Sequence, residues 1–128
     1  MPRAVLDTNI LVSAFFWEGN ERTLLRRCRD GEIRSVTSPG MLEELDRILI
    51  RKFGVPEGKV KDYLGEVFMI SDLVFPRGSL KAIERDPTDD MVLETAVLGK
   101  ADVIFTGDKH HLKLGSYEEI EIRKASLL

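Results

Sequence analysis

Ala4-Val5-Leu6-Asp7-Thr8-Asn9 decides the fold: a short, wholly apolar run is cut off by three polar residues, and the helix-patterned apolar stretch Ile10 to Trp17 follows at once. Three apolar residues are too few for a helix face but suit a strand covered on both sides of a sheet. The alternation continues outward from there. After the breaker Glu18-Gly19-Asn20, residues 21–30 read as an amphipathic helix with Leu24, Leu25 and Cys28 on one face and Gly31 as its stop. Ile33 to Thr37 is a second strand, and Ser38-Pro39 opens a helix to about Lys52, with proline at the first helical position. Gly54-Val55-Pro56 links to a helix over 57–69, Asp72 to Phe75 is a third strand, and Pro76-Arg77-Gly78 closes it. Pro87-Thr88 opens a helix to about Leu98, stopped by Gly99; Asp102 to Phe105 is a fourth strand and Ile120 to Ile122 a short fifth at an edge. Strands separated by helices imply a central, mainly parallel sheet covered on both faces, a three-layer α/β/α sandwich.

The 128 residues are expected to form a single domain, residues 1–128, without repeats or low-complexity segments. Hydrophobic residues make up 43% and charged residues 32%, the balance of a folded soluble protein. A chain of this size buries roughly two thirds of its unfolded surface. The single cysteine, Cys28, forms no internal disulfide, no apolar run is long enough to cross a bilayer, and residues 1–7 lack a signal-peptide pattern. The expected location is the cytoplasm, with no membrane partner. The net charge of −3 excludes a nucleic-acid binder that works by overall charge alone. Contact with nucleic acid would need local basic patches: Arg22, Arg26, Arg27 and Arg29; Arg47, Arg51 and Lys52; or Lys109 and Lys113, each of which also reads as a solvated helix face.

Ligands of open parallel sheets bind beyond the carboxyl ends of the strands. Asp7 directly follows the first strand, and Asp108 follows Val103-Ile104-Phe105 with only Thr106-Gly107 between. Either could be a plain helix cap; two strands ending the same way favour a site. On the helix after Ser38, the apolar stripe is Met41, Leu42, Leu45, Ile48 and Leu49. At roughly 100° per residue, Glu43 points away from that stripe and Glu44 lies on its flank, where a first-turn acid reaches over the sheet's end, while Asp46 is surface charge. On the helix of residues 88–98, Val92, Leu93, Ala96 and Val97 form the buried stripe; Asp89 projects along its centre and Asp90 to one side. Asp86 as cap, Pro87 and the first-turn acids also fit an ordinary helix start.

Four carboxylates, Asp7, Glu44, Asp89 and Asp108, would repel on converging: a like-charged pair at 4 Å costs about 4 kcal/mol at an effective dielectric near 20. Held protons or a bound cation relieve this, and hard oxygen donors select Mg²⁺ or Mn²⁺. Such an ion suits phosphodiester hydrolysis. The adjacent His110 and His111 lack zinc-site spacing and fall in the turn after the last acid. Cys28, on an apolar helix face, reads as core. There is no phosphate-cradling glycine loop.

Leu6-Asp7-Thr8-Asn9-Ile10-Leu11-Val12, Ser38-Pro39-Gly40-Met41-Leu42-Glu43-Glu44-Leu45, Arg85-Asp86-Pro87-Thr88-Asp89-Asp90 and Ala101-Asp102-Val103-Ile104-Phe105-Thr106-Gly107-Asp108 together resemble the motifs of the PIN-domain family, in order and spacing. The resemblance spans almost the whole chain and is to the toxin-like, VapC-like branch. It implies an endoribonuclease that uses Mg²⁺ or Mn²⁺, is usually a homodimer, and is inhibited by an antitoxin whose peptide occupies the site. Carried over by position, the family's acids fall on Asp7, Glu44, Asp89 and Asp108, with Asp90 competing for the third place. Asn9 and Thr106 match polar positions that support the acids or approach the substrate.

Two other readings compete. An aspartate after the first strand also suits a phosphotransfer domain. A dehalogenase-type phosphatase wants a second acid two residues on, where Asn9 stands, and a receiver wants paired acids at the first strand and a lysine after the last. The other reading is a non-catalytic module that keeps the fold for RNA contact or dimerisation.

Overall fold

A computed structural model describes residues 2–78 and 87–127, without the side chains of residues 87–89 and 127. Strand β1 (Arg3–Leu6) leads into α1 (Thr8–Phe16) and α2 (Asn20–Arg29), then β2 (Arg34–Thr37) and α3 (Pro39–Arg47). Helix α4 (Glu57–Met69), β3 (Ser71–Leu73), α5 (Pro87–Leu98) and β4 (Val103–Phe105) follow, and α6 (Lys109–Leu114), β5 (Ser116–Tyr117) and β6 (Ile120–Arg123) complete the order. Among the described residues six strands form one sheet in the order β3-β2-β1-β4-β6-β5, parallel except for the β5–β6 pair.

Side-chain alternation along each strand makes the three layers. Ala4 and Leu6 of β1 and Phe105 of β4 face a core built with Ile10, Leu11, Leu24, Leu45, Val60 and Val67 from α1 to α4. Val5, Val36 and Ile104 face the other way, onto Val92, Leu93 and Ala96 of α5. Register fixes this division: Val5 pairs with Val36 and Ile104 in the neighbouring strands, so their side chains rise from the same face. Gly99 lets α5 lie close to the sheet, since a Cβ there would stand 2.3 Å from Val36 Cγ1.

Several elements depart from the sequence reading. Residues 120–123 form no edge strand: β6 lies between β4 and the two-residue β5. A turn at Glu118, with φ 55°, folds β5 back onto it. A pattern of two residues was invisible to periodicity, as was the six-residue α6. The third strand spans Ser71–Leu73 rather than Asp72 to Phe75. The helix expected to reach Lys52 is α-helical only to Arg47 and then widens into a π turn over Ile48–Lys52. None of the described helices is long and apolar enough to cross a membrane.

Candidate active site

β1 pairs with β2 on one side and β4 on the other, so successive connections leave in opposite directions at the β1/β4 boundary. A crevice opens there beyond the carboxyl ends of the strands. The ladder continues past β1, with Asp7 N donating to Phe105 O at 2.9 Å. Asp7 just past β1, Glu44 on α3 and Asp108 just past β4 line one cavity of about 330 Å³ together with Thr8, Asn9, Ser13, Lys52 and Phe53.

Asp7 is the anchor, with only 5% of its surface exposed. Its Oδ1 accepts from Thr8 N at 2.7 Å, capping α1. Its Oδ2 accepts from Thr106 Oγ1 at 2.7 Å and Asn9 Nδ2 at 3.3 Å, and contacts His111 Nδ1 at 3.2 Å. Thr106 Oγ1 in turn accepts from Asp108 N at 3.0 Å, and Asn9 Oδ1 accepts from Gly107 N at 2.9 Å. The two strand ends are thus tied through side chains of both. Asp108 caps α6, its Oδ1 accepting from His110 N at 2.7 Å. The cap reading of both aspartates is therefore correct, yet a cap needs no acid bonded across strands as Asp7 is.

Glu44 lies in the second turn of α3, not the first, half-buried and on the flank inferred from the stripe; Glu43 is exposed, while Asp46 is half-buried rather than a surface charge. The side chain of Asp89, and Asp86 entirely, lie outside the described residues. Asp90 is 9% exposed, and Glu94 and Thr95 are buried as well. Helix α5 thus buries far more than its apolar stripe, and position on that stripe does not separate Asp89 from Asp90. Asp90 does not line the cavity of Asp7, Glu44 and Asp108.

His111 is the site residue that sequence reasoning missed. It is fully buried on α6 against Asp7, whereas His110 is exposed. The available signal was its place three residues after Asp108, on the inward side of a helix too short to show a pattern. Cys28 is buried in the first core, and burial pushes its thiol up to about 12, which removes it as a nucleophile. The basic cluster on α2 is largely internally paired: Arg22 and Arg26 with Glu18, Arg27 with Glu32, Arg29 with Glu66.

The donors here are all oxygen, which suits a hard cation. Thr8 adds a buried Oγ1 with no hydrogen-bond partner among the described residues. Among the described residues no three His, Cys, Asp or Glu side chains stand close enough to hold one ion directly. Mg²⁺ fits such an arrangement, because it binds through one or two carboxylates and keeps several waters.

Comparison with curated proteins returns no match. The fold is similar to that of a chain in the crystal structure of VapBC2 from Rickettsia felis bound to a DNA fragment from their promoter, with TM-score 0.67 and 14% identity over 95% of this chain and 98% of that one. At this identity the likeness is one of fold. The family profile of the PIN domain matches residues 3–110, which include all four motif blocks, and the chain belongs to the PIN domain family.

Proposed function

We propose that this chain is a metal-dependent endoribonuclease hydrolysing RNA phosphodiester bonds, a single-domain toxin of a toxin–antitoxin pair acting in the cytoplasm. The observation that carries this reading is the meeting of Asp7, Glu44 and Asp108 from three separate elements around one open cavity at the sheet's switch point. Asp89, or Asp90 in its place, supplies the fourth acid in this reading.

Asp7, Glu44 and Asp108 would hold Mg²⁺ or Mn²⁺, at most two of them directly and the rest through its waters. When bound, that ion supplies neutralisation of the phosphate and a lowered pKa for an attacking water. The chain's own residues do the positioning. Thr106, Asn9 and Thr8 fix the Asp7 carboxylate in one orientation, so no reorganisation is needed when substrate arrives. Asp108 commits Oδ1 to its helix cap, and among the described residues Oδ2 has no partner and is left for water or ligand. A homodimer and an antitoxin partner belong to the same proposal. Exposed Phe75 and Leu98, around a shallow cavity with Leu73, Val74 and Val97, offer apolar surface for such a partner to cover.

The test is cleavage of a panel of structured and single-stranded RNAs by wild type and Asp7→Asn, purified identically, in Mg²⁺, Mn²⁺ and excess chelator. Cleavage lost with chelator and absent in the variant is expected. Equal cleavage by the variant would expose a contaminant, and RNA binding without cleavage would make the chain a non-catalytic RNA-binding module.

A further inference from the structure

Beyond the acids, the cavity's lip is aromatic and basic. The π turn of Ile48–Lys52 closes with Phe53 N donating to Ile48 O, five residues back, at 3.2 Å, and Gly54 takes φ 64° to turn the chain away. Wide turns of this kind recur at functional sites because they re-aim side chains. Here the turn keeps Leu49 in the core and brings both Lys52 and Phe53 to the cavity of Asp7, Glu44 and Asp108. Phe53 is 46% exposed, and its ring stands 5.0 Å from that of Phe16, which packs on the core; Trp17, 69% exposed, continues the row 6.3 Å beyond Phe16. Lys52 Nζ lies 5.6 Å from the Phe53 ring centroid. Among the described residues Lys52 has no acidic partner and is the one basic side chain lining this cavity.

A cavity lined by carboxylates repels a polyanion, so a phosphodiester reaching it needs a cation at the entrance. Rings that are exposed yet held from behind are what bases stack on, and only an unpaired base can offer its face. We propose that Phe53, backed by Phe16 and continued by Trp17, is a base-stacking platform that seats an unpaired nucleotide beside the bond presented to the acids, with Lys52 on its phosphate. This inference rests on the ribonuclease reading and narrows it.

The experiment uses the Asp7→Asn chain, which keeps RNA intact, and fluorescein-labelled RNAs: a single strand, the same strand with abasic sites throughout, and a duplex. Affinity is read by anisotropy, and emission of Trp17, the only tryptophan, reports contact at the platform. Added Phe53→Leu is expected to weaken single-strand binding about ten-fold, the effect of losing one stacked base, with Phe53→Tyr restoring it. The abasic strand should bind both variants alike and leave Trp17 emission unquenched. Lys52→Gln should lower the salt slope by about 0.7, the value for one phosphate contact on a single strand. Equal affinity of Phe53→Leu and its parent, or equal affinity for single strand and duplex, overturns the platform while leaving the nuclease standing, and assigns the aromatic lip to protein contact. Failure of the wild type to bind or cut any RNA overturns the ribonuclease reading and the platform with it.

Discussion

Four groups hold the Asp7 carboxylate: Thr8 N, Asn9 Nδ2, Thr106 Oγ1 and His111 Nδ1. Thr106 does double service, since its hydroxyl also accepts from Asp108 N. Thr106→Val keeps the shape and deletes both bonds, one of them to a buried carboxylate, and should cost about 1.5–3 kcal/mol in urea unfolding; a loss near zero would mean the network positions nothing. Cys28 gives a second prediction. With its thiol pushed to about 12 and the side chain buried, the native protein should resist a thiol-alkylating reagent at pH 8 and react on unfolding, read by mass shift. Asp7 and Asp108 were legible in the sequence as acids just beyond recognisable strands, while Asn9 and Thr106 entered only through the family resemblance. His111 was not, because its role comes from burial by a helix of six residues that only the fold reveals.

Between elements, two features carry the load at the far side of the sheet from the site. Asp72 on β3 accepts from Arg34 at 2.6 Å and Arg3 at 2.7 Å, joining three adjacent strands near the start of β1 and β2. Hydrogen bonds from Arg34 first, then Arg3, hold its pKa below the usual carboxylate value. A folded pKa below the unfolded one adds stability that is present above the unfolded value and is lost as pH falls through the folded value. Stability should therefore decline in the acid range below about pH 4, and Asp72→Asn should flatten that decline. The side chain is 37% exposed, so the effect should not exceed about 1 kcal/mol. At the other feature, Gly99→Ala forces a methyl against Val36 Cγ1 and within 3.1 Å of Thr95 O, and should destabilise by about 1–3 kcal/mol. Gly40→Ala meets only the flexible end of Met91 and should cost less. Elements longer than about eight residues were legible from periodicity, since a repeated apolar face outweighs local noise. The π turn and the two-residue β5 were not: one rests on a shift in hydrogen-bond partner, the other on a turn that pairs it with β6.

At the level of the whole molecule, acids brought together from distant positions strain a fold that lacks a counterion. Mg²⁺ or Mn²⁺ should therefore stabilise the fold by about 2.7 kcal/mol at a hundredfold excess over Kd, which raises the melting temperature by roughly 10 °C for a domain of this size. Asp7→Asn should shrink the increment, and melting curves unmoved by metal in both proteins would remove the cation from the proposal. The layered architecture was legible as a whole because apolar strands alternate with helical patterns throughout; the convergence of acids was legible only through strand order. The bonds of Thr106 to Asp7 and of Gly107 to Asn9 join positions 99 and 98 residues apart. A ribosome extends the amino-terminal half, Asp7 included, long before it makes the strand that locks Asp7 in place. A nascent or prematurely ended product that stops short of β4 leaves β1 with one open edge and its carboxylate unsupported. If the chain cuts RNA, it cannot harm the message that encodes it until the ribosome has passed β4, and an inhibitor made alongside it has that interval in which to arrive.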